Sequence, residues 1–422
     1  AITRELHAAD LSDLIEHLEQ DDRVKLIAAL GRDFDVEALA ELDEVVRDEL
    51  MEALPNDVIA SAIKKLDTDD ALYLIEDMDK AEQEEILSKV SKEDRAVLSR
   101  ALDFPEYTAG RLMQTEFVAV PEFWTVGQTI DHVRTAKDVP ESFVEIYVVD
   151  PGFHLKGVLP LARVLRSARD NKIANIMDDE QAVFNVSEEQ EDIAYKFEQY
   201  NLVSAAVTDD AGRLVGTLMV DDIVDVIQEE AEEDILHLGG VGSEEAITDS
   251  VWKTTRSRFS WLFVNLLTAV LASWVISWFG GTIEQMVALA ILMPIVASMG
   301  GNAGTQTMTV AVRALATRNL GPLNAMRVTL RECSVGLING VLFAVIIGLF
   351  AWAWFGSDKL GLVIGAAMVI NLIAAALAGI LVPLVLDHYD IDPAIASGTF
   401  VTTVTDVVGF FAFLGLAAIW LL

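Results

Sequence analysis

The 422-residue sequence has a single cysteine, Cys333, so an intramolecular disulfide is excluded. Its six histidines form no HExxH pair and no ligand pair at helical spacing, which leaves no zinc site to read. Positive charge is scarce: 30 Lys and Arg stand against 66 Asp and Glu. That imbalance argues against nucleic acid and anionic lipid surfaces as partners of the charged part. There is no P-loop and no nucleophile–base constellation, and the glycine-rich "GGNAG" lies inside an apolar run, so no enzyme chemistry and no catalytic residue are expected. The stretch "AITRELHAADLSDL" has no basic region followed by an apolar run, so no signal peptide is expected and the acidic half should stay cytoplasmic.

What is present is unevenly placed. The first 250 residues carry 22 basic and 59 acidic side chains, a net charge of −37, whereas the remainder carries eight and seven, a net of +1. An acidic soluble half is joined to an apolar half, and small divalent cations are the partners such a charge attracts.

Five apolar segments follow, near 259–279, 284–312, 332–355, 361–386 and 394–421, each long enough to span a bilayer. Lys253, Arg256 and Arg258 before the first, and Arg313, Arg318, Arg327 and Arg331 after the second, belong on the cytoplasmic side. The N-terminus is therefore expected inside and the C-terminus outside. Trp274, Trp278, Trp352, Trp354 and Trp420 fall at the outer ends, as an interfacial belt does. Asp387, Asp390 and Asp392 in "DHYDID" run against the positive-inside trend and would ring the inner mouth.

Two spans carry polar groups that lipid does not explain. In the second, "MGGNAGTQ" sets Gly300, Gly301 and Gly304 beside Asn302, Thr305 and Gln306, with Asn302 and Gln306 on one helical face. Small residues permit close packing or local unwinding, and unwinding frees carbonyl oxygens. In the fifth, Thr399, Thr402, Thr403 and Asp406 follow i, i+3, i+4, i+7 spacing and form one polar stripe. A carboxylate near mid-bilayer costs about 2.5–3.5 kcal/mol on insertion scales, and no basic residue lies at its depth to pair with it. The stripe reads as the wall of a hydrated path. Oxygen ligands without His or Cys suit hard cations, and few direct carboxylates in a roomy site favour Mg²⁺.

The soluble half contains two kinds of repeat. Leu18, Leu30, Leu42, Leu54, Leu66, Met78, Val90 and Leu102 recur every twelve positions, with Asp or Ser turn openers after several. Short capped helices at that period predict an all-α superhelix over 1–105. Next, "AGRLMQTEFVAV" parallels "IANIMDDEQAVFNV", and the stretch around Gly157 parallels that around Gly216. Two such strand–helix–strand–strand–helix units, 106–170 and 171–226, resemble a tandem CBS pair. That family often binds adenine nucleotides, and Asp222 is the residue here that fits a ribose contact, so ATP is a possible ligand. An acidic connecting helix over 227–250 should follow, closed by Gly239 and Gly240. With its lead-in it gathers Asp221, Asp222, Asp225, Glu229, Glu232, Glu233 and Asp234, and no Lys or Arg lies between Arg213 and Lys253. Like charges at i, i+4 destabilise a helix, so cations are expected to neutralise it.

The order — acidic superhelix, CBS pair, acidic helix, then a 251–422 membrane domain with "GGNAGTQ" and "TTVTD" — resembles the MgtE family of bacterial magnesium channels and transporters. Vertebrate solute carriers are relatives of it. The resemblance covers the whole chain. It implies a multidomain protein of the bacterial inner membrane, homodimeric through its membrane and CBS domains. It also implies Mg²⁺ uptake through a pore lined by spans two and five. Asp406 matches the ion-selecting carboxylate, Gly300 and Asn302 the oxygen-supplying motif, Thr402 the stripe beside it, and Asp392 an acidic position at the inner mouth. The connecting helix resembles a plug that closes the pore when cytoplasmic Mg²⁺ binds. Thr399 stands where many relatives carry Pro. A proton- or sodium-coupled carrier, with Asp406 as relay, and a membrane-anchored sensor that transports nothing are the rival readings.

Overall fold

The computed structural model describes residues 6–31, 34–136, 139–140, 142–179, 181–242, 251–321, 323–389 and 391–421. The chain divides into two compact units, Ala1–Glu229 and Glu230–Leu422.

Among its described residues the first unit begins with seven short α-helices: α1 (Ala8–Glu16), α2 (Gln20–Leu30), α3 (Glu44–Ala53), α4 (Asn56–Ile63), α5 (Thr68–Tyr73), α6 (Lys80–Lys89) and α7 (Lys92–Leu102). Leu30, Leu42, Leu54, Leu66, Met78, Val90 and Leu102 of the twelve-residue repeat lie in or against one core. They fall where helices end, so each turn buries an anchor before the chain reverses. Caps begin several of the helices: Asp43 accepts from Val45 N at 3.1 Å and Ser91 from Asp94 N at 3.1 Å. Arg47 is buried beside this apolar core. Its guanidinium bonds Asp48 (3.1 Å) and Asp77 (2.6 Å) and stacks on Tyr73.

After α8 (Ala109–Leu112), strand β1 (Ala119–Pro121), helix α9 (Val126–Thr135), strands β2 (Glu145–Val149) and β3 (Leu155–Pro160), and α10 (Leu161–Arg166) build the first CBS-like unit. Strand β4 (Val183–Asn185), α11 (Gln190–Tyr200), β5 (Ser204–Thr208) and β6 (Leu214–Met219) build the second, and α12 (Val220–Leu238) leaves it. Each sheet has a parallel then an antiparallel pairing, with an irregularity at the same place. The two repeats exchange their leading segments. Met113 of the first packs on Gly216 of the second, and Met177 of the second on Gly157 of the first. Backbone bridges Gln114–Thr217 and Val158–Asp178 fix both crossings.

Among its described residues the second unit has five long apolar helices: α13 (Val251–Ser277), α15 (Ala288–Ala316), α16 (Ala325–Phe355), α17 (Asp358–His388) and α18 (Pro393–Trp420), with a short α14 (Gly280–Gln285) between the first two. They match the five expected spans, most of them running further into the flanking polar residues. Trp274 and Trp278 stack edge to face near the end of α13, and Trp354 lies against Phe350 and Phe355 at the end of α16. Such ring clusters suit the amphipathic zone at a bilayer surface.

A methyl group at Gly216 would meet Gln114 O at 2.7 Å and Met113 Sδ at 2.6 Å. Since Gln114 O is backbone, Gly216→Ala should cost about 1–3 kcal/mol. Thermal unfolding of the first unit checks this, with a melting temperature lower by roughly 2–12 °C.

Candidate functional site

The polar stripe on α18 is self-satisfied on its donor side. Thr402 donates to Gly398 O (2.9 Å) and Thr399 O (3.1 Å), Thr403 to Thr399 O (2.6 Å), and Thr405 to Thr402 O (2.9 Å). Hydroxyls so engaged offer outward only oxygen lone pairs, the group a cation seeks. Thr399 departs from the pattern by donating to Asn265 Oδ1 on α13 at 2.8 Å. Asp406 is half-buried on the same helix, and among the described residues no ion pair or hydrogen bond engages its carboxylate.

On α15 the motif divides between two faces. Gly300 and Gly304 are buried in the helix seam, Gly304 against Val401 and Thr405 of α18. Asn302, Thr305 and Gln306 are exposed. The helix is unbroken from Ala288 to Ala316, so the local unwinding that the small residues would allow is not taken up. Gly300 sits against a side chain that sequence reasoning passed over, Asn371 of α17. Glu284 is exposed on α14.

At the other end of α18, Asp392 caps the helix, accepting from Ala394 N at 2.7 Å with Pro393 at the first turn. Its second oxygen lies 3.0 Å from His237 Nδ1, near the end of α12. His237 is only 8% exposed, and its Nε2 lies 3.6 Å from Glu233. Beside it, Leu238 packs on Met308, Val312, Ala378, Ala394 and Val401 of the helices around the stripe. Burial first, then Asp392 and Glu230, push Asp234 up to about 6. Asp387 is exposed, and Asp390 lies outside the described residues.

The first half of α12 meets a different set of carboxylates. Asp222 is brought against Asp69 and Asp70 of α5, which the sequence reading did not single out. Asp69 Oδ2 and Asp222 Oδ2 are both buried with no hydrogen-bond donor. Burial, then the charges of Asp221 and Asp70, push Asp222 up to about 7. Burial and the Asp67 charge push Asp70 up to about 6, and burial with the Asp222 charge holds Asp69 well above the usual range. Two further contacts tie α5 and its neighbours to the first CBS unit. Glu116 accepts from Thr68 N and Oγ1 at 3.2 and 2.8 Å, and Arg111 Nε bonds Glu76 at 2.9 Å. Asp221, Asp225, Glu229 and Glu232 are exposed, while Glu233 and Asp234 are half-buried. Among the described residues no group of three or more His, Cys, Asp or Glu is assembled as a closed metal cage.

Comparison with known proteins decides the family. A family model described as the divalent cation transporter MgtE matches residues 293–416, one for the MgtE intracellular N domain matches 6–107, and one for the CBS domain matches 173–229. The magnesium transporter MgtE of Thermus thermophilus is 31% identical over 426 residues, covering 100% of this chain and 94% of that protein. The chain belongs to the MgtE family. Its Enterococcus faecalis relative, also a magnesium transporter MgtE, is 33% identical over 78% of this chain and 72% of that protein. A solved cytosolic domain of the Mg²⁺ channel MgtE, in complex with ATP, is 30% identical with a TM-score of 0.50, covering 53% of this chain and 92% of that one.

The acidic MgtE cluster of Asp69, Asp70 and Asp222 has a pH signature. Each carboxyl is raised in the folded chain, so its contribution is complete below the ordinary value of 3.8 and lost as pH rises, through about 6 for Asp70 and about 7 for Asp222. Without divalent cations, the soluble unit should therefore melt lower at about pH 7.5 than at about pH 4.5. Asp222→Asn should remove much of that difference, and melting curves of the full-length protein in chelator read it.

Proposed function

We propose that this chain is a Mg²⁺-selective channel for Mg²⁺ uptake, working as a homodimer in the bacterial inner membrane with its N-terminus in the cytoplasm. The observation that carries this reading is Asp406, a half-buried carboxylate in an apolar span with no counter-charge among the described residues, beside threonines that present only lone pairs. A carboxylate kept there needs a cation. Two copies facing each other would set a pair of Asp406 side chains at the symmetry axis around one hydrated ion, with Thr402 and Asn302 oxygens along its path. Mg²⁺ keeps most of its water, so it needs few direct ligands.

Closure by cytoplasmic Mg²⁺ is supported by the two places where α12 collects negative charge. Its first half meets Asp69 and Asp70, and its second half brings Glu233 and Asp234 to Asp392 at the head of α18. The buried, donorless oxygens of Asp69 and Asp222 fit a cation, which would relieve their repulsion. Several weak sites, each with some preference for the closed state, add to a steep response. Asp221, Asp225, Glu229 and Glu232 contribute by raising local cation concentration. A nucleotide at the CBS pair would have to draw Asp222 away from Asp69, so ATP and this cluster are expected to oppose one another.

The test is Mg²⁺ influx into liposomes at an imposed inside-negative potential, with no pH or sodium gradient. The parent should conduct, internal Mg²⁺ should suppress the flux, and Asp406→Ala should lower it about tenfold or more. Flux that starts only with a proton or sodium gradient would instead establish a coupled carrier. No flux under any gradient would favour the anchored sensor.

A further inference from the structure

Asn371 is the polar side chain in the membrane unit that neither lipid nor a path explains. It lies near the middle of α17 at 0% exposure. Its Nδ2 donates to Val296 O on α15 at 2.8 Å, while its Oδ1 is buried without a partner. Two glycines make room for it. A methyl at Gly300 on α15 would stand 2.2 Å from Nδ2, and one at Gly409 on α18 would stand 2.7 Å from the same atom. The amide is thus wedged between the two helices that carry the candidate pore groups.

Stability alone does not account for an amide here. An interhelical hydrogen bond in a membrane contributes about 0.6–2 kcal/mol, and a buried unpaired acceptor costs about 1–3. The two cancel, and an apolar side chain filling the same space would hold the helices at least as well. What the amide adds is direction. Its bond to Val296 O fixes the rotation of α15 one turn before Gly300, and with it the opposite face that carries Asn302 and Gln306. Its contact at Gly409 lies three residues, or nearly one turn, beyond Asp406, and so limits the rotation and height of α18.

We propose that Asn371 is a positioning residue for ion selectivity: its amide, seated on Gly300 and Gly409, holds the oxygen-bearing faces of α15 and α18 in the spacing that a hydrated Mg²⁺ requires. The inference rests on the reading of Asp406 as the selecting carboxylate. Mg²⁺ demands near-ideal octahedral geometry, whereas Ca²⁺ accepts looser and larger shells. Losing the key should therefore relax discrimination before it abolishes conduction.

Asn371→Ala, Gly300→Ala, their double variant and Asp406→Ala are compared as full-length protein. Melting in detergent reads the fold, and liposome flux of Mg²⁺ against Ca²⁺ reads selectivity. Asn371→Ala should melt somewhat below the parent because it leaves a void, yet its preference for Mg²⁺ over Ca²⁺ should fall about three- to thirtyfold, the worth of one interhelical hydrogen bond. Gly300→Ala should melt lower, because its methyl meets the amide. The double variant should regain stability without regaining selectivity, and it carries the selectivity measurement if Asn371→Ala alone does not fold. Unchanged selectivity in whichever of these variants folds, while Asp406→Ala is silent, overturns the role given to Asn371. So does a double variant no more stable than Gly300→Ala, since the contact would then be absent. Normal flux in Asp406→Ala defeats the pore reading itself, a result separable from either of these.

Discussion

Carboxylates held together with few protein counter-charges are the constraint on which the rest of this chain depends. Asp69 faces Asp222, Asp234 faces Asp392 with only His237 beside them, and Asp406 faces no cation at all among the described residues. At contact distances, even in a medium of effective dielectric about 20, two like charges repel by several kcal/mol. A fold that repeats this arrangement at several depths is incomplete without mobile cations. Helix α12 links the cases, since its first half belongs to the soluble unit and its last residues to the membrane unit. On the proposed reading, the ion that would pass Asp406 is of the same kind as the ion that would relieve the strain along α12. Feedback by the transported species requires that identity.

The oxygen-bearing side chains also restrict which ion the proposed path would suit. Thr402, Thr403 and Thr405 of α18 direct their hydroxyl hydrogens to their own helix, leaving acceptors, and among the described residues no thiolate or imidazole stands beside them. His237 is an exception at the inner end, where it is engaged by Asp392 and Glu233. That contact and the packing of Leu238 hold the end of α12 near the head of α18 through protein groups alone. On the proposed reading, divalent ions would add to contacts that protein groups already make there.

Much of this was legible in the sequence, because it is written in local periods. The twelve-residue spacing of Leu30 through Leu102 marks helix ends, and the duplicated Met and Gly stretches mark two equivalent sheets. Apolar runs mark the spans, and Asp406 stands out for its cost in lipid. What escaped depends on distant pairings. Asp69 and Asp70 sit in "DTDD", which reads as an ordinary acidic helix start, and only the fold sets them against Asp222. His237 is a lone histidine whose partner lies 155 residues away. Asn371 is one polar letter in an apolar run, and its meaning comes from Gly300 and Gly409. The swap of Met113 and Met177 between repeats was also invisible, since the repeat shows equivalence and not which copy each segment packs on. Helix α12 runs without a break through 226–227, where the sequence places a change of domain, because no proline or glycine interrupts it there.

The central claim, that cations compact the soluble unit by neutralising facing carboxylates, is tested most directly by limited proteolysis of the full-length protein. The parent is compared with the Asp69→Asn/Asp222→Asn double variant, each with chelator and with Mg²⁺. The account predicts that Mg²⁺ protects the parent, and that the double variant is already protected in chelator because its repulsion has been removed. A parent cut equally fast with and without Mg²⁺ would contradict it.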